Sequence, residues 1–122
     1  MEINERIERI EWAARRWCEA YKESTELFER VDACESERER ENVRVKRYWL
    51  NCLKDWLEEY AYYRAGLVEV VEATEKRGDY AEHFAHYCQI EEFEPDSETG
   101  FIPFDKRARM VWFFYLNKEL NK

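Results

Sequence analysis

His83 and His86, the only two histidines of the chain, stand one helical turn apart, with Asp79 four residues before the first. Residues at i, i+3 and i+4 share one face of a helix, so this trio would offer two imidazoles and a carboxylate to a single ion. Those are donors that zinc takes, in structural or in hydrolytic sites. No second cluster of His, Cys or carboxylate accompanies them in the sequence. Two ordinary histidines on an amphipathic helix are therefore the expectation, and no cofactor is expected.

Other groups of carboxylates have chemistry of their own. Counting Glu94 as position 1, the loop that follows resembles an EF-hand calcium loop, with Asp96 and Glu98 at 3 and 5, Phe101 at the apolar position 8 and Asp105 at 12. It departs from that pattern where glycine falls at 7 instead of 6, where Pro95 stiffens the start, and where the closing Asp is too short to chelate through both oxygens. Glu69-Val70-Val71-Glu72, followed by Lys76-Arg77-Gly78-Asp79, resembles the all-helical MazG-like nucleotide pyrophosphohydrolases, whose ExxE helix binds magnesium. That resemblance covers about a dozen residues and would imply metal-binding roles for Glu69 and Glu72. The later helix that should bring Glu and Asp to the same metals is here Lys106 to Leu120, whose apolar core has no acid. Glu69 and Glu72 then read as an exposed helix edge. Cys88 lies near His86, but nothing in the sequence would orient such a pair for nucleophilic attack. With no Gly-rich phosphate loop or nucleophile elbow, an enzyme is not expected.

The charge distribution says more. From Asp79 to Asp105 there are eight acidic residues and no Lys or Arg, whereas the rest of the chain holds 20 of each sign. The whole net charge of -8 thus belongs to one stretch, which creates a directed field. Such a surface suits something cationic. Glu91, Glu92, Glu94, Asp96 and Glu98 would supply attraction and association rate, and Phe93 and Phe101 could anchor a partner.

The elements that must position these residues are helical. No Gly or Pro precedes Gly66. Ile3, Ile7, Ile10, Ala14, Trp17, Tyr21, Ser24, Phe28 and Val31 step by four and three, which predicts a first helix over 3–33 with a heptad seam. Ser36-Glu37-Arg38-Glu39 reads as a capping box that starts a second helix after a turn at Cys34-Glu35. Its buried stripe is expected through Val45, Trp49, Cys52, Leu53, Trp56, Tyr60, Tyr63, Leu67, Val70 and Val71, ending before Gly78. A short third helix is expected at 79–89, a small β-hairpin or ordered loop at 90–104, and a last helix over 106–120, capped by Asp105 and apolar on every side. The fold class is thus all-α: a single domain, 1–122, built on an elongated antiparallel hairpin of two long helices with two shorter C-terminal ones. A helix of 42 residues would run to roughly 60 Å, too long for a sphere of this mass, so it either bends near Gly66 or the chain self-associates.

Apolar residues at 45% and aromatics at 16% exclude intrinsic disorder despite 39% charged residues. No run of about 18 apolar residues is present, and no membrane partner is expected. The charged opening Met1-Glu2-Ile3-Asn4-Glu5-Arg6 lacks a secretory signal's apolar stretch, so the cytosol is the expected location, with Cys18, Cys34, Cys52 and Cys88 as reduced, buried thiols. Tyr48, Trp49, Trp56, Tyr60, Tyr62 and Tyr63, interleaved with Arg44, Lys46, Arg47, Lys54 and Arg64, could stack nucleic-acid bases, but the spacing of Trp49, Trp56, Tyr60 and Tyr63 reads first as core, which leaves Tyr48 and Tyr62 as the expected exposed contacts. Direct nucleic-acid binding is not expected. What the sequence points to is a non-catalytic acidic helical protein that presents 79–105 to a basic partner, such as a nucleic-acid-binding protein inhibited by phosphate mimicry, as mobile elements do to host defences. The alternatives are a coiled-coil subunit of a larger assembly, a homo-oligomer among them, or a metal- or nucleotide-binding helical module.

Overall fold

The computed structural model describes residues 2–76 and 104–122. Among them the chain is all helix: α1 (Ile3–Arg30), α2 (Glu37–Glu59), α3 (Leu67–Lys76) and α4 (Phe104–Leu120). The expected third helix at 79–89 and the hairpin or loop at 90–104 lie outside the described residues.

α1 tightens at its end into a 3-10 turn, Val31–Ala33, and the chain then extends through Cys34 and Ser36. Ser36 starts α2 as its spacing predicted, its hydroxyl accepting from the Glu39 amide at 3.2 Å. Glu39 closes the box one residue earlier than expected, accepting from the Glu35 amide at 3.2 Å rather than from Ser36. Arg40 adds a bond to the Cys34 carbonyl at 3.2 Å, so the turn is held from both sides.

α2 returns antiparallel along α1. Trp12 meets Tyr60, Trp17 meets Lys54, and Ser24 meets Arg47, positions that fall on one chain as they rise on the other. Elongated hairpin and heptad-like α1 therefore hold. The single long second helix does not. After Glu59 the coil widens into one π turn, Tyr60–Arg64, closed by the Ala65 amide on the Tyr60 carbonyl at 2.8 Å. Gly66 follows at φ +81°, a left-handed conformation that ends a helix and that other residues avoid. α3 restarts at once, the Val70 amide bonding the Gly66 carbonyl at 3.2 Å. A Cβ on Gly66 would lie 1.9 Å from the Arg6 guanidinium, so the bend is also where the start of α1 passes closest.

One core joins all four helices. Ile10, Ala14 and Cys18 of α1, Leu57 of α2 and Ala61 of the π turn pack with Leu67, Val70 and Val71 of α3. α4 completes it with Met110, Val111, Trp112, Tyr115 and Leu116, as its unbroken apolar run predicted. This helix begins at Phe104, so Asp105 sits within its first turn instead of capping it.

The expected core stripe of α2 needs correction. Leu67, Val70 and Val71 are buried, but Val45, Trp49, Trp56 and Tyr63 are exposed, Trp49 at 65% and Tyr63 at 81%. The face turned inward is a parallel line of the same spacing: Val43, Arg47, Leu50, Lys54, Leu57 and Ala61 are buried or half-buried. Two of these are cations whose aliphatic stems cover the seam while their heads reach its edge. Similarly, Tyr21 and Phe28 of the α1 seam are exposed, because this half of α1 buries the neighbouring line of Ala20, Ser24 and Leu27 instead. Of the described cysteines only Cys18 is buried; Cys34 and Cys52 are half-buried thiols.

Candidate functional site

The acidic candidates Glu91, Glu92, Glu94, Asp96 and Glu98, the anchors Phe93 and Phe101, and the metal trio Asp79, His83 and His86 all lie outside the described residues. What the structure supplies is their tether. The acidic stretch joins α3 to α4, and both helices pack against α1 and against each other. Within the described residues, no group of three or more His, Cys, Asp or Glu side chains is placed to hold a metal ion. Glu69 stands on the exposed edge of α3, 3.9 Å from Arg6, and Glu72 is exposed further along it. Neither has a carboxylate neighbour that would complete the MazG-like arrangement among these residues.

The stacking platform is half present. Its rings do face outward: Trp56 stacks on Tyr60 at 5.5 Å, and Trp12 of α1 meets Tyr60 edge-on at 5.7 Å. Tyr48 is exposed, as expected, whereas Tyr62 is half-buried. Four of the five interleaved cations are engaged elsewhere, while Arg64 is exposed beside Trp56, Tyr60 and Tyr63. Arg44 pairs with Glu37 at 3.1 Å and Lys46 with Glu23 at 3.0 Å. Arg47 lies 4.7 Å over Phe28 while donating to Ser24 at 3.4 Å, and Lys54 sits 5.3 Å and 5.5 Å from Trp17 and Tyr21. Arg40 and Arg44 together hold the Glu37 carboxyl below its usual range, the Arg40 hydrogen bond contributing most.

These contacts divide the hairpin into two flanks. On one, Arg47 and Lys54 roof the rings of Phe28, Trp17 and Tyr21, cation over π face. On the other, Trp12, Trp49, Trp56 and Tyr63 carry no such cover and form the largest aromatic exposure among the described residues. Helical spacing had placed Trp49, Trp56 and Tyr63 in the core. The signal that could have separated the lines was the pair of cations, since long stems tolerate a half-buried seam next to small α1 residues such as Ala13, Ala20 and Ser24.

An open groove of about 600 Å³ is lined by Asp55, Glu58 and Glu59 of α2, Val68 of α3, and Ala108 and Arg109 of α4. Burial pushes the Glu58 carboxyl up, helped by the Asp55 charge and opposed by Arg109.

No protein-family model, curated protein or solved structure matches this chain.

Proposed function

We propose that this chain is a non-catalytic binding protein that presents its acidic stretch, residues 79–105, to a basic protein, most specifically to the nucleic-acid groove of a DNA- or RNA-binding protein. The observation that carries the reading is the confinement of all eight surplus carboxylates to that stretch, with no cation inside it. Carboxylates so crowded stand in for the phosphates that a Lys- and Arg-lined groove is built to receive, and association between such surfaces is fast and salt-sensitive. The tether between α3 and α4 and the groove residues Asp55, Glu58 and Glu59 support it. Function as an inhibitor, of the kind mobile elements direct at host defence, follows from mimicry of nucleic acid. The free thiols of Cys18, Cys34 and Cys52 suit work in the reducing cytosol.

The test is a charge swap. Immobilised protein and a variant carrying Glu91→Lys, Glu92→Lys, Glu94→Lys and Glu98→Lys are exposed to host extract over a salt series. Retained nucleic-acid-binding proteins should be released by salt and by duplex DNA, and should be lost from the variant. Equal retention by both, with equal salt slopes, defeats the reading.

A second reading, a structural subunit of an assembly, is favoured by one observation: the uncovered aromatic flank of Trp49, Trp56 and Tyr63.

A further inference from the structure

We propose that α2 carries a second seam, turned away from α1, through which two copies of this chain pair antiparallel about a two-fold axis between Cys52 and Leu53. The inference rests on the described hairpin alone and is independent of the acidic stretch.

Val45, Trp49, Cys52, Trp56 and Tyr60 recur at intervals of four, three, four and four, the spacing of knobs in a helix–helix seam. At about 100° per residue, this line sits roughly 120° around the helix from the Leu50, Leu57 and Ala61 line that faces α1. It is therefore an additional face, which meets the edge of the core at Tyr60, in the π turn that follows α2. At about 150–250 Å² per aromatic side chain, the exposed fractions of Trp12, Trp49, Trp56 and Tyr63 leave roughly 500 Å² of uncovered ring surface. That lies at the upper end for a single protein's largest apolar patch. Homodimer interfaces are about 65% apolar, so such a patch with its polar rim comes to roughly 800 Å² per partner, the area a specific dimer needs.

The pairing is antiparallel. An axis between Cys52 and Leu53 sets Val45 opposite Tyr60 and Trp49 opposite Trp56, and a two-fold makes each contact occur twice. Charge agrees. Of the cations in residues 43–54, Arg47 and Lys54 turn towards α1, which leaves Arg44 and Lys46 for this side, while residues 55–59 contain Asp55, Glu58 and Glu59 and no cation. Arg44 and Lys46 remain more than half exposed in their ion pairs, at 55% and 59%. Antiparallel pairing lays the positive half of each helix along the negative half of its partner, whereas parallel pairing would set like on like.

Full-length protein with Cys34→Ser and Cys88→Ser keeps Cys52, and Cys18 stays buried; a short bismaleimide should link it as a dimer through Cys52. In the same background with Cys52→Ser, Val45→Cys and Tyr60→Cys variants should each fail to link to themselves and should link when mixed. Light scattering should show a concentration-dependent dimer for the unsubstituted chain. Trp49→Glu with Trp56→Glu should raise its dissociation constant by about a hundredfold or more while the circular dichroism stays helical. A monomer at every concentration overturns the proposal, and so does Val45→Cys linking efficiently to itself, which signifies a parallel pair. The cross-linking arm decides the matter even if the double glutamate variant fails to fold.

Discussion

Tyr115 and Cys18 lie where α4 meets α1, the Cys18 thiol donating to the Leu116 carbonyl at 3.6 Å, and both resist ionisation. Burial pushes the Tyr115 hydroxyl from about 10 to about 12, with the Glu11 charge adding to it. Burial likewise pushes the Cys18 thiol from 9.0 up to about 11, with Glu119 reinforcing it and Lys22 opposing. Each group keeps its proton in the fold at a pH where the unfolded chain has released it. Stability is therefore intact below about pH 9 and should fall as pH rises, through 9–11 for Cys18 and 10–12 for Tyr115. Urea midpoints across that window measure the decline. Tyr115→Phe should lose less than the parent between pH 10 and 12, by on the order of 2–3 kcal/mol, and an unchanged alkaline limb would contradict the assignment. A buried, apolar thiol was legible at Cys18 from the chain's composition. Tyr115 was legible only as part of an apolar run, since a hydroxyl's surroundings come from other helices.

At the scale of elements, α2 is decided by which of two equally spaced lines it buries. Leu57→Ala removes a side chain at 1% exposure from the core and should cost about 2–5 kcal/mol, whereas Trp56→Ala in dilute monomer should cost less than about 1 kcal/mol despite the larger side chain. The reverse ranking in chemical denaturation would restore the aromatic line to the core. Periodicity alone could not choose, because both lines step by three and four. Ring size pointed the wrong way, and the half-buried Arg47 and Lys54 disguised the true seam as polar. By contrast, the start of α2 at Ser36 and the burial of α4 were legible, since a capping box is a local device and an all-round apolar helix has only one place to go. The bend was legible as one of two alternatives. Gly66→Ala should show why the chain takes it: a left-handed φ costs an ordinary residue about 1–2 kcal/mol, and the Arg6 side chain must also give way. A denaturation midpoint equal to the parent's would remove that account.

For the whole molecule, the described helices hold the core and an exposed aromatic flank, and the net charge lies in the connection between α3 and α4. That division was plain from where Lys and Arg stop, because charge counts survive any error in register. The distribution of tryptophans has a practical consequence. Trp112 alone is sealed from water, at 1% exposure, while Trp12, Trp49 and Trp56 stand in it. The intrinsic emission of this protein is thus weighted towards indoles that unfolding scarcely alters and that an arriving neighbour would dry. Its ultraviolet fluorescence is a poor thermometer of the fold and a sensitive ear for company.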